Sequence, residues 1–366
     1  MRAHRHSHVA CLSAEQSVGY PVSGDHVPAG ACEEDAMALP QLDEKTVTTL
    51  VAEATAAPSM HNAQPWRFRF LAAERLLLLY ADLERAMARS DPGNRALHIG
   101  CGAALFNLRV SAAHAGLIPD VRLLPEPQDP LLLAAVDLTG RAGRAPDEEP
   151  ARLHGVIRQR HTSRHPFAEK DIPEDIRTTL QDAAARESAA LLFPGPWHAE
   201  TVLDLVRDAE SRDVTDSGAR DDLVRWTRLG PEADAAVDGV PEYAFGPRKR
   251  DGKAPVRDFA GRRPVADRGT TTFEYTPHLA LLSTPGDGPA DWLCAGQALE
   301  RVLLEATLAD LATSLTSHAL ETPELRLLVR DPGSGTGQVQ MVLRLGYGPR
   351  GPATPRRPVT DVLDIV

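Results

Sequence analysis

Residues 57–66 read Ala57-Pro58-Ser59-Met60-His61-Asn62-Ala63-Gln64-Pro65-Trp66. Two prolines fix the chain direction at the two ends of this loop. Between them, one hydroxyl and two amides can each donate and accept hydrogen bonds. A capped turn that merely joins helix to strand is the alternative. The density of polar side chains between two prolines favours a rigid loop that binds the edge of a neutral polar ligand, such as a ribityl chain or a flavin pyrimidine.

The elements on either side of this loop follow from local patterns. Before it, apolar residues recur at helical spacing from Leu42, with Asp43 as a plausible N-cap. The helix should end at Ala57, because a proline disfavours helical geometry in the residue before it. After the loop, residues 66–70 alternate as a strand does, and residues 75–80 form a second strand.

Further along the chain, apolar patterns predict more helices and strands. Helices are expected at residues 96–117, 153–159, 199–207 and 296–311. Strands are expected at residues 131–138, 191–193, 279–282 and 339–345. A polar stretch rich in Gly and Pro, residues 139–151, separates two halves, and residues 228–272 are long, charged and irregular.

An internal repeat relates the two halves. Laid at an offset of 194 residues, positions 102–117 and 296–311 share six identities in sixteen positions, beginning with Gly102 and Gly296. Chance similarity between two apolar helices is the alternative reading. Because each helix is followed by a strand and each half begins with a helix leading into a loop, we interpret the chain as an α+β fold duplicated by fusion.

Two basic segments are candidates for anion binding. Residues 158–167 read RQRHTSRHPF, in which guanidinium groups and hydroxyls can fork onto phosphate oxygens. Residues 355–358 read PRRP, where flanking prolines stiffen two arginines and lower the ordering cost of binding. A solvated basic loop is the alternative for each segment.

Taken together, these segments resemble the nitroreductase superfamily. PSMHNAQPWRF is similar to its P-S-x-x-N-x-Q-P-W signature, RHTSRHPF to its basic-hydroxyl motif, and TPRRPVTDVL to its C-terminal phosphate-binding segment. The order APSMHNAQPW, DPGNRALHIGCGAALFNL, RQRHTSRHPF, DWLCAGQALERVLLEA and TPRRP resembles the Acg-type subfamily of fused, twin-domain members. The match spans residues 37–363.

The resemblance implies one FMN site per chain, in an intramolecular pseudo-dimer with a nitroreductase-like α+β fold. Ordinary members are homodimers whose interface binds FMN; here the first half carries the P-S-x-x-N loop and the second half the basic motif. Arg164 would face the flavin N1 and C2-carbonyl edge and stabilise the anion of the reduced ring. The implied cofactor-binding set is Pro58, Ser59, Met60, Asn62, Gln64, Arg160, Thr162, Ser163, Arg164, Arg356 and Arg357. No catalytic side chain is required.

The domain boundaries follow from the same reading. We expect a disordered tail at residues 1–36, with Met37 as an alternative start, a first half at 37–145 and a second half at 146–366. Residues 228–272 could fold over the flavin as a lid. The segment Ser317-His318-Ala319-Leu320 falls where the family passes close to N5, and it lacks the glycine often present there.

Composition narrows the function further. A net charge of −11 argues against nucleic acid, and no apolar run reaches the length of a membrane span. The four cysteines form no C-x-x-C pair, and His4, His6 and His8 are better explained as a tail than as a metal site. Gly100-Cys101-Gly102 reads as helix packing rather than a dinucleotide fingerprint. We expect a cytoplasmic protein with a small-molecule substrate, no metal and no membrane or nucleic-acid partner, monomeric or further self-associated.

Three functions remain open from sequence. The first is an FMN-dependent oxidoreductase that takes electrons from NAD(P)H and reduces nitro, quinone or related compounds. The second is an FMN-sequestering protein with a covered flavin and little turnover. The third is a specialised flavin-dependent tailoring dehydrogenase with its own substrate. The sequence favours the first, because the electrostatics expected at the ring suit flavin reduction.

Overall fold

A computed structural model of the chain describes residues 42–140, 148–213, 216–261, 263–333, 335 and 337–366. The expectations for the tail, residues 1–36, and for Met37 lie outside these residues. The helices are α1 Glu44–Ala54, α2 Arg95–His114, α3 Glu148–Ala151, α4 Glu174–Arg186, α5 Pro196–Asp213, α6 Ser217–Arg225, α7 Pro231–Ala235, α8 Pro289–Leu308, α9 His318–Glu321 and α10 Pro323–Leu328. The strands are β1 Trp66–Leu71, β2 Leu76–Ala81, β3 Asp120–Leu123, β4 Leu132–Asp137, β5 Ala190–Leu192, β6 Thr227–Arg228, β7 Val240–Pro241, β8 Arg248–Asp251, β9 Thr270–Thr272, β10 His278–Thr284, β11 Ala312–Thr316, β12 Gln338–Gly346 and β13 Leu363–Ile365.

The first helix and strand follow their sequence signals closely. Asp43 caps α1 by accepting a hydrogen bond from the Thr46 amide at 2.8 Å. The helix ends at Ala54, three residues before the predicted end, and a turn bridges the gap to Pro58. In β1, Trp66, Phe68 and Phe70 are buried while the arginines between them are exposed. The alternation therefore places one face of this strand in the core.

Two sheets repeat one strand order. The first half contributes β1-β2-β4-β3 and the second β5-β10-β12-β11, and all neighbours within each set are antiparallel. In each half the long helix, α2 or α8, connects the second strand of the set to the third along the chain. The shared order is what a duplicated α+β fold requires; the fusion itself stays a prediction.

The chain's C-terminal end departs from the simple division into halves. β13 pairs parallel to β1, with Phe68 opposite Leu363, so the last strand of the second half extends the sheet of the first. The described residues form one compact unit rather than two separate bodies. The boundary predicted between residues 145 and 146 falls outside the described residues, and the division into halves stays a prediction.

The two long helices form the centre of the molecule. α2 packs along α8, and 16 of the 20 residues of α2 are buried. α2 is the one helix among the described residues that is long and apolar enough to span a membrane, but 83% of that apolar window lies inside the protein. It is therefore a core helix, and Gly100-Cys101-Gly102 lies within it, as the helix-packing interpretation expected.

Several elements lack a sequence signal strong enough to predict them. α4 buries only Leu180, Ala183 and Ala184 on an otherwise polar helix. β11 is mostly small and polar, and β13 has three residues. The segment predicted as a helix at 153–159 is a 3-10 helix at His154–Gln159. Residues 228–272, predicted as irregular, contain α7 and the paired short strands β8 and β9.

Candidate functional site

The loop Pro58–Pro65 has an unusual backbone held by its own side chains. His61, Asn62 and Gln64 have φ values of 48°, 56° and 54°, a region that residues other than glycine seldom occupy. Ser59 Oγ accepts a hydrogen bond from the Gln64 amide at 2.9 Å, which closes the loop. Such strain persists where surrounding contacts fix it, and it is concentrated at functional sites.

Contacts from distant parts of the chain fix the loop from outside. The Asn62 side-chain amide donates to the carbonyls of Gly239 and Pro355, at 2.9 and 3.0 Å. The Gln64 side chain donates to the Val237 carbonyl at 2.9 Å and accepts from the Arg357 amide at 2.8 Å. The polar side chains that the sequence assigned to a ligand are therefore used, in large part, to hold the loop in place.

A cavity opens beside this loop between the two halves. Its empty volume is about 1130 Å³ with the mouth included. Eight of the eleven residues predicted from the sequence line it: Pro58, Ser59, Met60, Asn62, Arg160, Thr162, Arg164 and Arg356. Among the described residues, its wall has no Asp or Glu side chain but five arginines: Arg95, Arg160, Arg164, Arg257 and Arg356. A cleft lined by one sign of charge attracts a ligand of the opposite sign.

The basic motif reaches the cavity along the edge of the second sheet. The Ser163 amide donates to the Thr313 carbonyl at 2.8 Å, which docks this extended segment onto β11. Arg160 is 3% exposed and donates to the Ala56 carbonyl at 3.1 Å. Its Nε lies 3.4 Å from a carboxylate oxygen of the buried Glu300, but neither Nε nor Nη1 has a hydrogen-bond partner among the described residues. A buried guanidinium with spare donors suits an anionic ligand.

Arg164 is a cation without a carboxylate partner in the part of the chain that the structure describes. Its Nη1 donates to the Ala244 carbonyl at 3.0 Å, and its guanidinium lies 4.7 Å from the centre of the Phe259 ring. Burial lowers its pKa to about 10. Since desolvating a charge without compensation is unfavourable, a ligand atom carrying negative charge would stabilise this side chain.

Arg356 connects the cavity to the end of α1. Its Nε and Nη2 donate to the Thr55 and Ala56 carbonyls at 2.8 and 2.9 Å, and its Nη1 donates to Asn62 Oδ1 at 3.0 Å. A cation is favourable at a helix C-terminus, where carbonyls lack intrahelical donors. Burial, and then Arg160, lowers the pKa of Arg356 to about 9. It positions the loop as well as lining the cavity.

The cavity's remaining wall comes from residues that the sequence did not select. Arg257 and Phe259 come from the segment predicted as a lid, with Val240 and Val256 beside them. The Arg257 guanidinium contacts two histidines, His61 and His318. Nothing in the sequence distinguishes Arg257 from the other basic residues around it. His61 could have been chosen, because it lies inside the polar loop.

Three comparisons with known proteins bear on this geometry. No family model matches the chain. "Putative NAD(P)H nitroreductase acg" of Mycobacterium tuberculosis is 29% identical over 327 residues, which are 87% of this chain and 95% of that protein. "Putative NAD(P)H nitroreductase Rv3131" of the same organism is also 29% identical over 327 residues, with 88% of this chain and 92% of that protein covered.

The chain therefore resembles the nitroreductase superfamily over most of its length. The resemblance predicted from the ordered motifs is confirmed at this level; membership of the twin-domain subfamily stays a prediction.

Similar solved structures include two further nitroreductases. An FMN-bound nitroreductase from Bacteroides fragilis has 15% identity and a TM-score of 0.33, over 54% of this chain and 88% of that one. A putative nitroreductase from Anabaena variabilis has 12% identity and a TM-score of 0.45, over 83% of this chain and 88% of that one. These scores are too low to support an argument about the site.

Three of the eleven predicted site residues do not line the cavity. Gln64 is fully buried and serves the loop. Ser163 is fully buried and donates to the Pro349 carbonyl at 2.7 Å. Arg357 points away from Arg356, because successive side chains of an extended segment face opposite sides, and its Nη1 lies 3.5 Å from an Asp82 carboxylate oxygen. Ser317 and His318, by contrast, do line it.

The place that the repeat relates to the cavity is filled by ion pairs. Only three residues separate α4 from β5, whereas eleven separate α1 from β1, so the second half has no room for a matching polar loop. Glu187, just after α4, accepts from Arg109 at 2.6 Å and from Arg301 at 2.9 Å. Arg301 also donates to Glu149 at 2.5 Å. None of these four residues lines the cavity.

Proposed function

We propose that the chain binds one FMN in this cavity and acts as an oxidoreductase. Electrons would come from NAD(P)H and pass as a pair to a nitro, quinone or related small molecule. The observation that carries the proposal is the cavity wall itself: five arginines and no carboxylate on one side, and a rigid neutral loop on the other. The two relatives bear the name of NAD(P)H nitroreductases.

The residues present fit the charge of FMN. Thr162 with its hydroxyl and Arg160, two of whose nitrogens have no hydrogen-bond partner among the described residues, suit a phosphate. Arg356 adds positive charge beside them, which offsets the Glu300 carboxylate 3.4 Å from Arg160. Arg164, which has no carboxylate partner among the described residues, suits the ring edge that becomes negative on reduction. When bound, FMN supplies the two-electron chemistry, so the protein's own task is to bind, orient and shield it.

The wall residues also explain how water could be kept from the site. Phe259 packs against Arg164 and lies edge-on to His61, with ring centroids 5.5 Å apart. Together with Val240 and Val256 it forms an apolar cover contributed by residues 228–272. A dry site strengthens the interaction of an arginine with developing negative charge.

A second candidate, FMN sequestration, rests on the same cover. If the segment 228–272 closes over the ring, a donor or acceptor must displace it before electrons can move. The covered flavin would then be held tightly and turn over slowly. Both candidates use the same binding residues, so they differ in rate rather than in geometry.

Anaerobic mixing of the FMN-loaded chain with NADPH or NADH separates the two. The oxidoreductase predicts loss of the visible flavin absorbance within minutes and its recovery when a quinone is added. Absorbance that persists while FMN stays bound would support sequestration instead. We also propose that the chain acts as a monomeric pseudo-dimer, which sedimentation of the FMN-loaded protein would test.

A further inference from the structure

Two histidines from different halves share one arginine. Arg257 Nε donates to His318 Nε2 at 2.5 Å, and its Nη1 lies 2.7 Å from His61 Nε2. A guanidinium has no acceptor, so both Nε2 atoms must present a lone pair. Burial, and then Arg257, lowers the pKa of each ring well below its usual value, in keeping with neutral rings. The proton of each neutral imidazole therefore lies on Nδ1.

These two Nδ1–H groups lack an acceptor. His61 is 8% exposed and His318 5%, and neither Nδ1 has a hydrogen-bond partner among the described residues. Both rings line the cavity. Because an unsatisfied buried donor costs free energy, an oxygen atom of a ligand in the cavity would stabilise each of them.

The charge at this end of the cavity differs from that beside Arg164. Arg257 donates to Glu321 at 2.8 Å and to Asp213 at 3.2 Å, so its charge is compensated by carboxylates behind it. Arg164 also acts electrostatically on His61, but we assign its charge to FMN, which would compensate it when bound. With FMN in place an anion would gain little here, whereas a neutral acceptor oxygen would receive two hydrogen bonds.

A smaller pocket adjoins the main cavity at this end. His61 and Arg257 line both of them. The Phe259 ring beside His61 offers an aromatic surface for a planar molecule.

We propose that His61 and His318, oriented by Arg257, form a subsite for a neutral, planar molecule that presents carbonyl or nitro oxygens. The subsite adjoins Arg164, which we assign to FMN, because the Phe259 ring contacts both the Arg164 guanidinium and His61. This inference rests on the proposed function, because it places the electron acceptor beside that cofactor. It adds specificity-determining residues and a preference for neutral acceptors over carboxylates.

Calorimetric titration of the chain with menadione, a neutral quinone, tests the subsite, and FMN affinity is measured on the same samples. His61→Leu and His318→Leu remove both the donor and the acceptor of each ring. His61→Asn and His318→Gln keep both, and Asn tolerates the positive φ of residue 61. His154→Leu is the control, because His154 stacks on His114 outside the cavity. If a Leu variant does not fold, the Phe variant replaces it.

Each Leu variant should lose roughly tenfold in menadione affinity, with most of it restored by Asn or Gln. FMN affinity should change much less, and benzoate should bind more weakly than menadione. Equal menadione affinity in wild type and Leu variants, or a parallel fall in FMN affinity, would overturn the subsite. A chain that binds menadione as predicted but takes up no FMN would contradict the proposed function instead.

Discussion

Gly102 and Gly296, 194 residues apart, touch where α2 crosses α8. A Cβ on Gly102 would lie 2.3 Å from the Leu293 carbonyl oxygen, and one on Gly296 would lie 2.1 Å from that of Ile99. Ile99 and Leu293 are themselves 194 residues apart. The contact is therefore reciprocal, as at the axis of a two-fold dimer, although both partners belong to one chain. It is the structural counterpart of the sequence repeat.

Replacing either glycine should separate the two helices. We expect Gly102→Ala and Gly296→Ala each to lower the free energy of unfolding by about 2 kcal/mol, because the added methyl group meets rigid backbone. Chemical denaturation measures this. Gly155→Ala is the matched control, since a Cβ there meets nothing within 4 Å. Equal stability of all three variants would show that the close crossing is not needed.

We expect Arg164 to contribute to FMN affinity and not to the stability of the FMN-free chain. Arg164→Ala removes a cation that has no carboxylate partner among the described residues, so the FMN-free chain should be as stable as wild type or more stable. FMN affinity should fall roughly tenfold or more, by loss of a charge-assisted contact. Arg158→Ala is the control, because Arg158 is exposed and pairs with Glu53. Equal FMN affinity of the two variants would remove Arg164 from the site.

We expect Glu187 to contribute to the free energy of unfolding and not to FMN affinity. Glu187→Gln leaves Arg301, which is 3% exposed, with a weakened partner, so we expect a loss of about 3 kcal/mol in unfolding free energy. Glu84→Gln should cost less than about 1 kcal/mol, because Glu84 forms an exposed pair with Arg67. FMN affinity should be the same in both variants. Similar stability losses would mean that the ion pairs in place of the second site are marginal.

The free energy of unfolding should fall at acid pH, because two histidines are buried as neutral rings in the folded chain. His61 and His318 have pKa values well below the ordinary 6.5, because burial and then Arg257 disfavour the charged ring. The unfolded chain therefore binds more protons below pH 6.5, and the stability from these neutral rings is lost as pH falls through that value. From pH 7 to pH 5, wild type should lose more unfolding free energy than the double variant His61→Asn, His318→Gln. An equal loss would show that the rings do not titrate on unfolding.

The sequence predicted the fold through its most regular parts. The strands at residues 66–70, 279–282 and 339–345 end within two residues of where apolar periodicity placed them, and the ends of the long helices α2, α5 and α8 lie within seven. Strand β11 and helix α4 were not predicted, because tertiary packing stabilises them more than their local sequence pattern does. The loop 58–65 could be chosen from its two prolines and its amides alone.

The site was predictable only where a motif marked it. Arg160, Arg164 and Arg356 line the cavity as the motifs indicated. Arg357 does not line the cavity. A motif identifies residues, but it does not determine which of two successive side chains faces the cavity. The contact between Arg257 and His318 could not be foreseen, because the two residues meet only after the chain folds back across 61 residues. Polar groups predicted to hold a ligand, such as the Gln64 amide, turned out to hold the loop.

The most direct test is equilibrium titration of the FMN-free chain with FMN, followed by quenching of flavin fluorescence. The arginine-lined cavity beside a neutral loop predicts that FMN binds with a micromolar or tighter dissociation constant. We expect saturation at one FMN per chain, because the position in the second half that the repeat relates to this cavity holds Glu187 and its two arginines. A chain that leaves FMN fluorescence unchanged at such concentrations, or that binds two FMN molecules, would contradict the account.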